Sequence, residues 1–81
     1  MIRIHIHCVS GKVHCLPEEF EDSDEGTSKA KQHAKAAMWS FENTAAQCET
    51  EGQANDWEPI GAVIWGRGWK RGVIMANGAE R

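Results

Sequence analysis

Isoleucine recurs at every second position at the start of the chain (Ile2, Ile4, Ile6), with polar residues between. A period of two is the signature of a strand with one apolar face. Ser10-Gly11 then offers a turn, and Val13-His14-Cys15-Leu16 returns. Residues 1–16 therefore predict a β-hairpin. A two-residue loop at Ser10-Gly11 pairs Cys8 with Val13, His7 with His14 and Ile6 with Cys15. Directly opposed residues share a face. One face then carries Ile2, Ile4, Ile6, Cys8, Val13 and Cys15. The other carries Arg3, His5, His7, Val9, Lys12, His14 and Leu16. A slip by one residue would bury histidines among isoleucines, so only even loop lengths fit the pattern.

This sorting bears on metal binding. His5, His7, Cys8, His14 and Cys15 are ligand-type residues close together in sequence. A structural zinc site needs four converging ligands. The register instead sends both cysteines inward, as small buried hydrophobes. It leaves His5, His7 and His14 on the open face as a three-histidine alternative. The expectation is no cofactor, with those histidines as polar surface.

The chain has 81 residues, enough for one small domain, and a formal charge of −3. A general nucleic-acid binder would usually be basic. No apolar run approaches membrane-spanning length, and no segment resembles a signal peptide. The three cysteines are expected as free thiols in a reducing cytoplasm.

Residues 17–26 hold six acidic residues and no basic one. With Pro17 and Gly26 they read as a loop, anchored at its middle by Phe20. Thr27 or Ser28 can cap a helix over residues 27–50. At helical spacing Ala30, Ala34, Ala37, Met38, Phe41, Ala45 and Cys48 form one apolar stripe. Trp39 falls on the opposite side, to be covered by Trp57 or the chain end, or else used for binding. Lys29, Lys31 and Lys35 lie where the helix dipole disfavours cations.

Residues 57–77 read as a second hairpin. Ile60, Ala62 and Ile64 alternate with Gly61, Val63 and Trp65, and Val73–Ala76 returns. Pro59 suggests a sheet edge. Asn77-Gly78 ends the strand, and Ala79-Glu80-Arg81 reads as a frayed end. The order β-β-α-β-β predicts an α+β fold, a four-stranded antiparallel sheet with one helix on one face. The other sheet face would be half apolar, which suits a partner or a homodimer.

Two segments carry candidate binding chemistry. Residues 65–72 interleave Trp65, Arg67, Trp69, Lys70 and Arg71 with glycine. Tryptophan and arginine are enriched as interface hot spots. The same set could stack bases and hold phosphates. The second segment is the acidic cluster Glu18, Glu19, Glu21, Asp22, Asp24 and Glu25, which could steer association with a basic partner. Neither is a phosphate-loop or dinucleotide motif. Catalysis is not expected, because the register leaves no accessible thiol.

The expected function is a non-catalytic protein–protein interaction module. It would bind a larger protein or nucleoprotein complex through Trp39, the Trp/Arg/Lys segment and the acidic segment. Phage-type inhibitors of nucleic-acid machinery, anti-CRISPR proteins among them, share this size and charge; that is analogy without a motif. The alternatives are a nucleic-acid-binding module using residues 65–72 and a metal-binding protein using His5, His7 and His14.

Overall fold

The computed structural model describes residues 1–66 and 69–80, with the backbone alone for 69–71. Its elements are β1 (Ile2–Cys8), β2 (Val13–Cys15), α1 (Asp24–Ala46), α2 (Glu51–Asn55), β3 (Pro59–Gly66) and β4 (Trp69–Met75). The strands form one sheet in the order β2-β1-β3-β4, every pair antiparallel. The fold is α+β, with α1 laid on one face of a four-stranded antiparallel sheet.

The core follows from the two periodicities. Ile2, Ile4 and Ile6 on β1, Ala62 and Ile64 on β3, and Ile74 on β4 are fully buried. Ala30, Ala34 and Met38 of α1 meet them. Alanine at i and i+4 leaves the helix no bulk on that stripe, so α1 lies close to the isoleucines.

The first hairpin departs from its expected register. His7 pairs with Val13, Ile6 with His14 and His5 with Cys15. The loop has three residues, Val9-Ser10-Gly11. The Gly11 amide donates to the Cys8 carbonyl, and the Cys8 amide donates to the Lys12 carbonyl, each at 2.9 Å. Gly11 has φ 92°, the left-handed residue that a three-residue hairpin places after a type I turn. The odd loop reverses β2. Val13 and Cys15 join the exposed face, and His14 turns to the helix side.

The long helix also starts earlier than expected. Ser23, rather than Thr27 or Ser28, is the N-cap, its side chain accepting from the Gly26 amide at 3.0 Å. Asp24 and Glu25 occupy the first turn, where the dipole favours anions and offsets the lysines that follow. Lys29 pairs with Glu25 at 3.4 Å. The helix ends at Ala46, so Cys48 lies beyond it, and a second short helix, α2, follows, capped by Thr50.

Residues 17–22 form a strap along the outer edge of β1, anchored at Phe20 as expected. Ile2 and Phe20 exchange both backbone hydrogen bonds, at 2.8 and 2.9 Å. β3 is an inner strand, not an edge. Pro59 is tolerated because it is the first strand residue, beside a bulge. Cys8 pairs with Pro59 and His7 with Gly61. Ile60 is therefore the extra residue and is 47% exposed, not core. The second hairpin is tighter than the segment 65–72 suggested, since Gly66 already pairs with Trp69. The chain end is not frayed at Glu80, which bridges to Ile74 and pairs with Lys31 at 3.3 Å.

Candidate functional site

Because α1 covers one side of the sheet, the other side forms a single surface, ordered by strand register. The first row is Arg3 opposite Trp65, with Lys70 next along the ladder. The second is Cys15, His5, Val63 and Val73. The third is Val13, His7, Gly61 and Met75. The His5 and Trp65 rings are 6.3 Å apart and tilted. A shallow cavity of about 270 Å³ opens over Gly61, bounded by His7, Ile60, Val63, Val73 and Met75. The neighbouring strand requires the glycine: a Cβ there would stand 2.9 Å from the Ile74 carbonyl oxygen.

His14 is missing from this face, which corrects the three-histidine arrangement. It is stacked on Trp57 at 4.7 Å and meets Phe41 edge-on at 5.0 Å. Its Nε2 lies 2.9 Å from the Asp56 carbonyl oxygen. A carbonyl only accepts, so Nε2 carries the proton. With the sheet between His14 and the pair His5 and His7, the three cannot share an ion. Among the described residues, no group of three or more His, Cys, Asp or Glu is placed to hold a metal ion.

The thiols separate in the same way. Cys8 is buried under α1, and burial pushes its thiol pKa up. Cys15 is exposed, contrary to the expected inward register, and Cys48 is half-buried with its Sγ donating to the Thr44 carbonyl. Alkylation of the native protein with iodoacetamide is expected to label Cys15 first. Cys8 should react only on unfolding, as read by peptide mass spectrometry with and without urea. Rapid native labelling of Cys8 would contradict the burial.

Trp39 lies mid-helix on the outer side of α1 and is 68% exposed. Trp57 does not cover it, being committed to His14. The turn after β4 adjoins it instead. Lys35, Met38, Trp39 and Glu42 face residues 75–78 across an open cavity of about 270 Å³.

The acidic residues do not form one free patch. Glu19 accepts from both Nε and Nη2 of Arg3, at 3.2 and 2.8 Å. This pairing raises the Arg3 pKa, through the hydrogen bond first and the charge second. Glu18 faces His33 at 3.5 Å. Asp22 is half-buried, 3.0 Å from the Met1 amino group. Glu21 and Asp24 are exposed. Of the Trp/Arg/Lys segment, Trp65 is half-buried on the open face. Arg67 lies outside the described residues, and the side chains of Trp69, Lys70 and Arg71 do too.

The His14–Trp57–Phe41 cluster was not legible in the sequence. Its signal, an aromatic residue just after a short capped helix, depends on seeing α2. Comparison with protein-family models, with curated proteins and with solved structures finds no match to this chain. Among the described residues, no helix is long and apolar enough to cross a membrane.

Proposed function

We propose that this chain is a non-catalytic protein–protein interaction module, with Trp39 as the anchor for a larger protein or nucleoprotein complex. The observation that carries this reading is the 68% exposure of the Trp39 indole in the middle of a helix whose far side is core. Tryptophan is the residue type most enriched at interface hot spots. Here it has charged neighbours of both signs, Lys35 and Glu42, and a hollow beside it. That is an apolar anchor within a polar rim.

Cys8 and His14 are committed to the fold, whereas Cys15, which the expected register hid, is exposed opposite His5. A nucleophilic cysteine needs a lowered pKa and access; Cys8 has a raised pKa and is buried. His14 is held between two aromatic rings. Free cysteines suit a reducing compartment such as the cytoplasm. Within this reading, small size and acidic charge are those of phage-type inhibitors of nucleic-acid machinery, including anti-CRISPR proteins.

The test compares wild type and Trp39→Ala as baits in the native host's lysate. One protein or complex should be captured stoichiometrically by the wild type and fall at least about tenfold with Trp39→Ala, as expected of a hot spot. Thermal stability should shift by no more than about 0.5 kcal/mol, as for other exposed positions. Equal capture by both baits would overturn Trp39 as the anchor. Salt-dependent binding of single-stranded oligonucleotide, abolished by Arg67→Ala, Lys70→Ala and Arg71→Ala together, would favour the nucleic-acid alternative.

A further inference from the structure

Cys15 does not stand alone on the open face: an imidazole lies directly across the ladder from it and a guanidinium lies diagonally. We propose that Cys15 is a site of reversible S-thiolation by low-molecular-weight disulfides such as oxidised glutathione, with His5 as the group that takes the thiol proton. The site is on the sheet face away from α1, so it is independent of the Trp39 surface.

The hairpin register sets the geometry. The Cys8 amide donates to the Lys12 carbonyl and the Leu16 amide to the Ile4 carbonyl, at 2.9 and 3.0 Å. Hydrogen-bonded and non-hydrogen-bonded pairs alternate along an antiparallel ladder. His5 opposite Cys15 lies one step from the bonded Ile4–Leu16 pair, so it is a non-hydrogen-bonded pair. Such pairs hold their Cα atoms about 4.5 Å apart, with side chains closer than in the bonded pairs. The three-residue loop is what brings thiol and imidazole to one face.

The surroundings also separate Cys15 from the other two thiols. Cys8 is buried. Cys48 is half-buried and its Sγ donates to the Thr44 carbonyl at 3.2 Å. Cys15 is exposed, and its Sγ is 3.9 Å from the Leu16 carbonyl oxygen, too far to tie up the proton. β2 ends the sheet on its side, so a small disulfide can reach the sulfur from the flank.

Arg3 adds the third group. It points to the same side of β1 as His5, two residues away, and a diagonal neighbour across a ladder is within reach of a long side chain. Its guanidinium is held first by Glu19 and also interacts with the Cys15 sulfur. Glu19 fixes it in place through Nε and Nη2. Attack of a thiolate on a disulfide spreads negative charge over three sulfurs, and a guanidinium beside them offsets that charge.

In the exchange, the His5 imidazole accepts the Cys15 proton. The sulfur's electron pair attacks one sulfur of the disulfide, and the old S–S bond breaks as the new one forms. The departing thiolate takes the proton from the imidazolium. The products are the Cys15 mixed disulfide and one reduced glutathione. Cys8 lies across the sheet and cannot resolve the adduct, so it persists until an external thiol removes it.

The test exposes the reduced full-length chain to oxidised glutathione, quenches with acid and reads each cysteine by peptide mass spectrometry. The adduct should form at Cys15 at least about tenfold faster than at Cys48, and a dithiol should remove it. His5→Ala should slow Cys15 by about fivefold or more without changing Cys48, and free imidazole should restore the rate. Such rescue is expected of a proton acceptor and not of a merely structural residue. His5→Gln, polar but not basic, should be as slow as His5→Ala. Arg3→Gln, which leaves the Glu19 carboxylate uncompensated, should slow the reaction as well. If His5→Ala unfolds, Cys8 becomes labelled and His5→Gln carries the comparison. Equal rates at Cys15 and Cys48, an unchanged Cys15 rate in His5→Gln, or a loss in folded His5→Ala that imidazole does not restore would overturn the proposal.

Discussion

Ile4→Ala is expected to lower stability by about 2–5 kcal/mol, the range for truncating a buried isoleucine. Ile4 is fully buried on β1, between the ladders to the strap side and to β3, under the Ala30/Ala34 stripe. A chain of this length is stabilised by roughly 4–12 kcal/mol in total. The substitution therefore removes a large part of the margin. Urea unfolding should show the midpoint falling by about 2 M or more, since small domains lose on the order of 1 kcal/mol per molar urea. Ile60→Ala is the control. The alternation of β3 gives Ile60 the same standing as Ile64, but the bulge leaves it 47% exposed, so its loss should cost under about 1 kcal/mol. Equal midpoints for the two variants would contradict the bulge.

Gly26→Ala is expected to destabilise, against the helix-propensity rule. Alanine is worth about 1 kcal/mol over glycine in a helix interior. At position 26, however, the added Cβ would overlap the Glu21 carbonyl oxygen. That oxygen belongs to the strap and already accepts from the Ser23 amide. Relief requires moving backbone next to the N-cap, and overpacking of this kind costs about 1–3 kcal/mol or more. A net loss of about 2 kcal/mol should lower Tm by roughly 8–16 °C. Gly52→Ala, with open space around its Cβ, should be neutral or raise Tm by a few degrees. A rise in Tm with Gly26→Ala would show that the strap does not lie against the helix.

The sequence carried the four strands, the long helix between the hairpins and the antiparallel sheet because each rests on many residues, but it missed the five-residue α2. Ile2, Ile4 and Ile6 repeat one signal three times, and Ala30, Ala34 and Met38 do the same for α1. It failed where one or two residues decide. β2 has only three residues, so its hydrophobic pattern is too short to choose between an even and an odd loop. Gly11 chose, through its left-handed φ. The expectation that histidine avoids the core side was overruled at His14, because Trp57 and Phe41 give its ring apolar contact and the Asp56 carbonyl takes its proton donor.

Charge density misled in the acidic segment. Phe20 anchors the segment on β1 as expected, but Asp24 and Glu25, read as loop, belong to the helix. The candidate surface was legible in part. The helical spacing puts Trp39 opposite the stripe, to be covered by Trp57 or the chain end or used for binding; it is exposed, beside the turn after β4. His5 and His7 lie on the uncovered side as expected, whereas His14 and Leu16, expected with them, lie on the helix side. Val13 and Cys15 joined His5 and His7 only through the register change, which no composition argument could supply.

The strap along β1 has a consequence for how this molecule meets strangers. A lone strand bearing unpaired amides invites foreign chains to add to it and seed cross-β growth. On the β2 side that invitation is withdrawn. The strand is three residues long, and the amide and carbonyl of Ile2 beyond it are already taken by Phe20. On the opposite side, the Met75 amide is taken by the Ala79 carbonyl. Among the described residues, the first part of β4 is the edge left for foreign pairing.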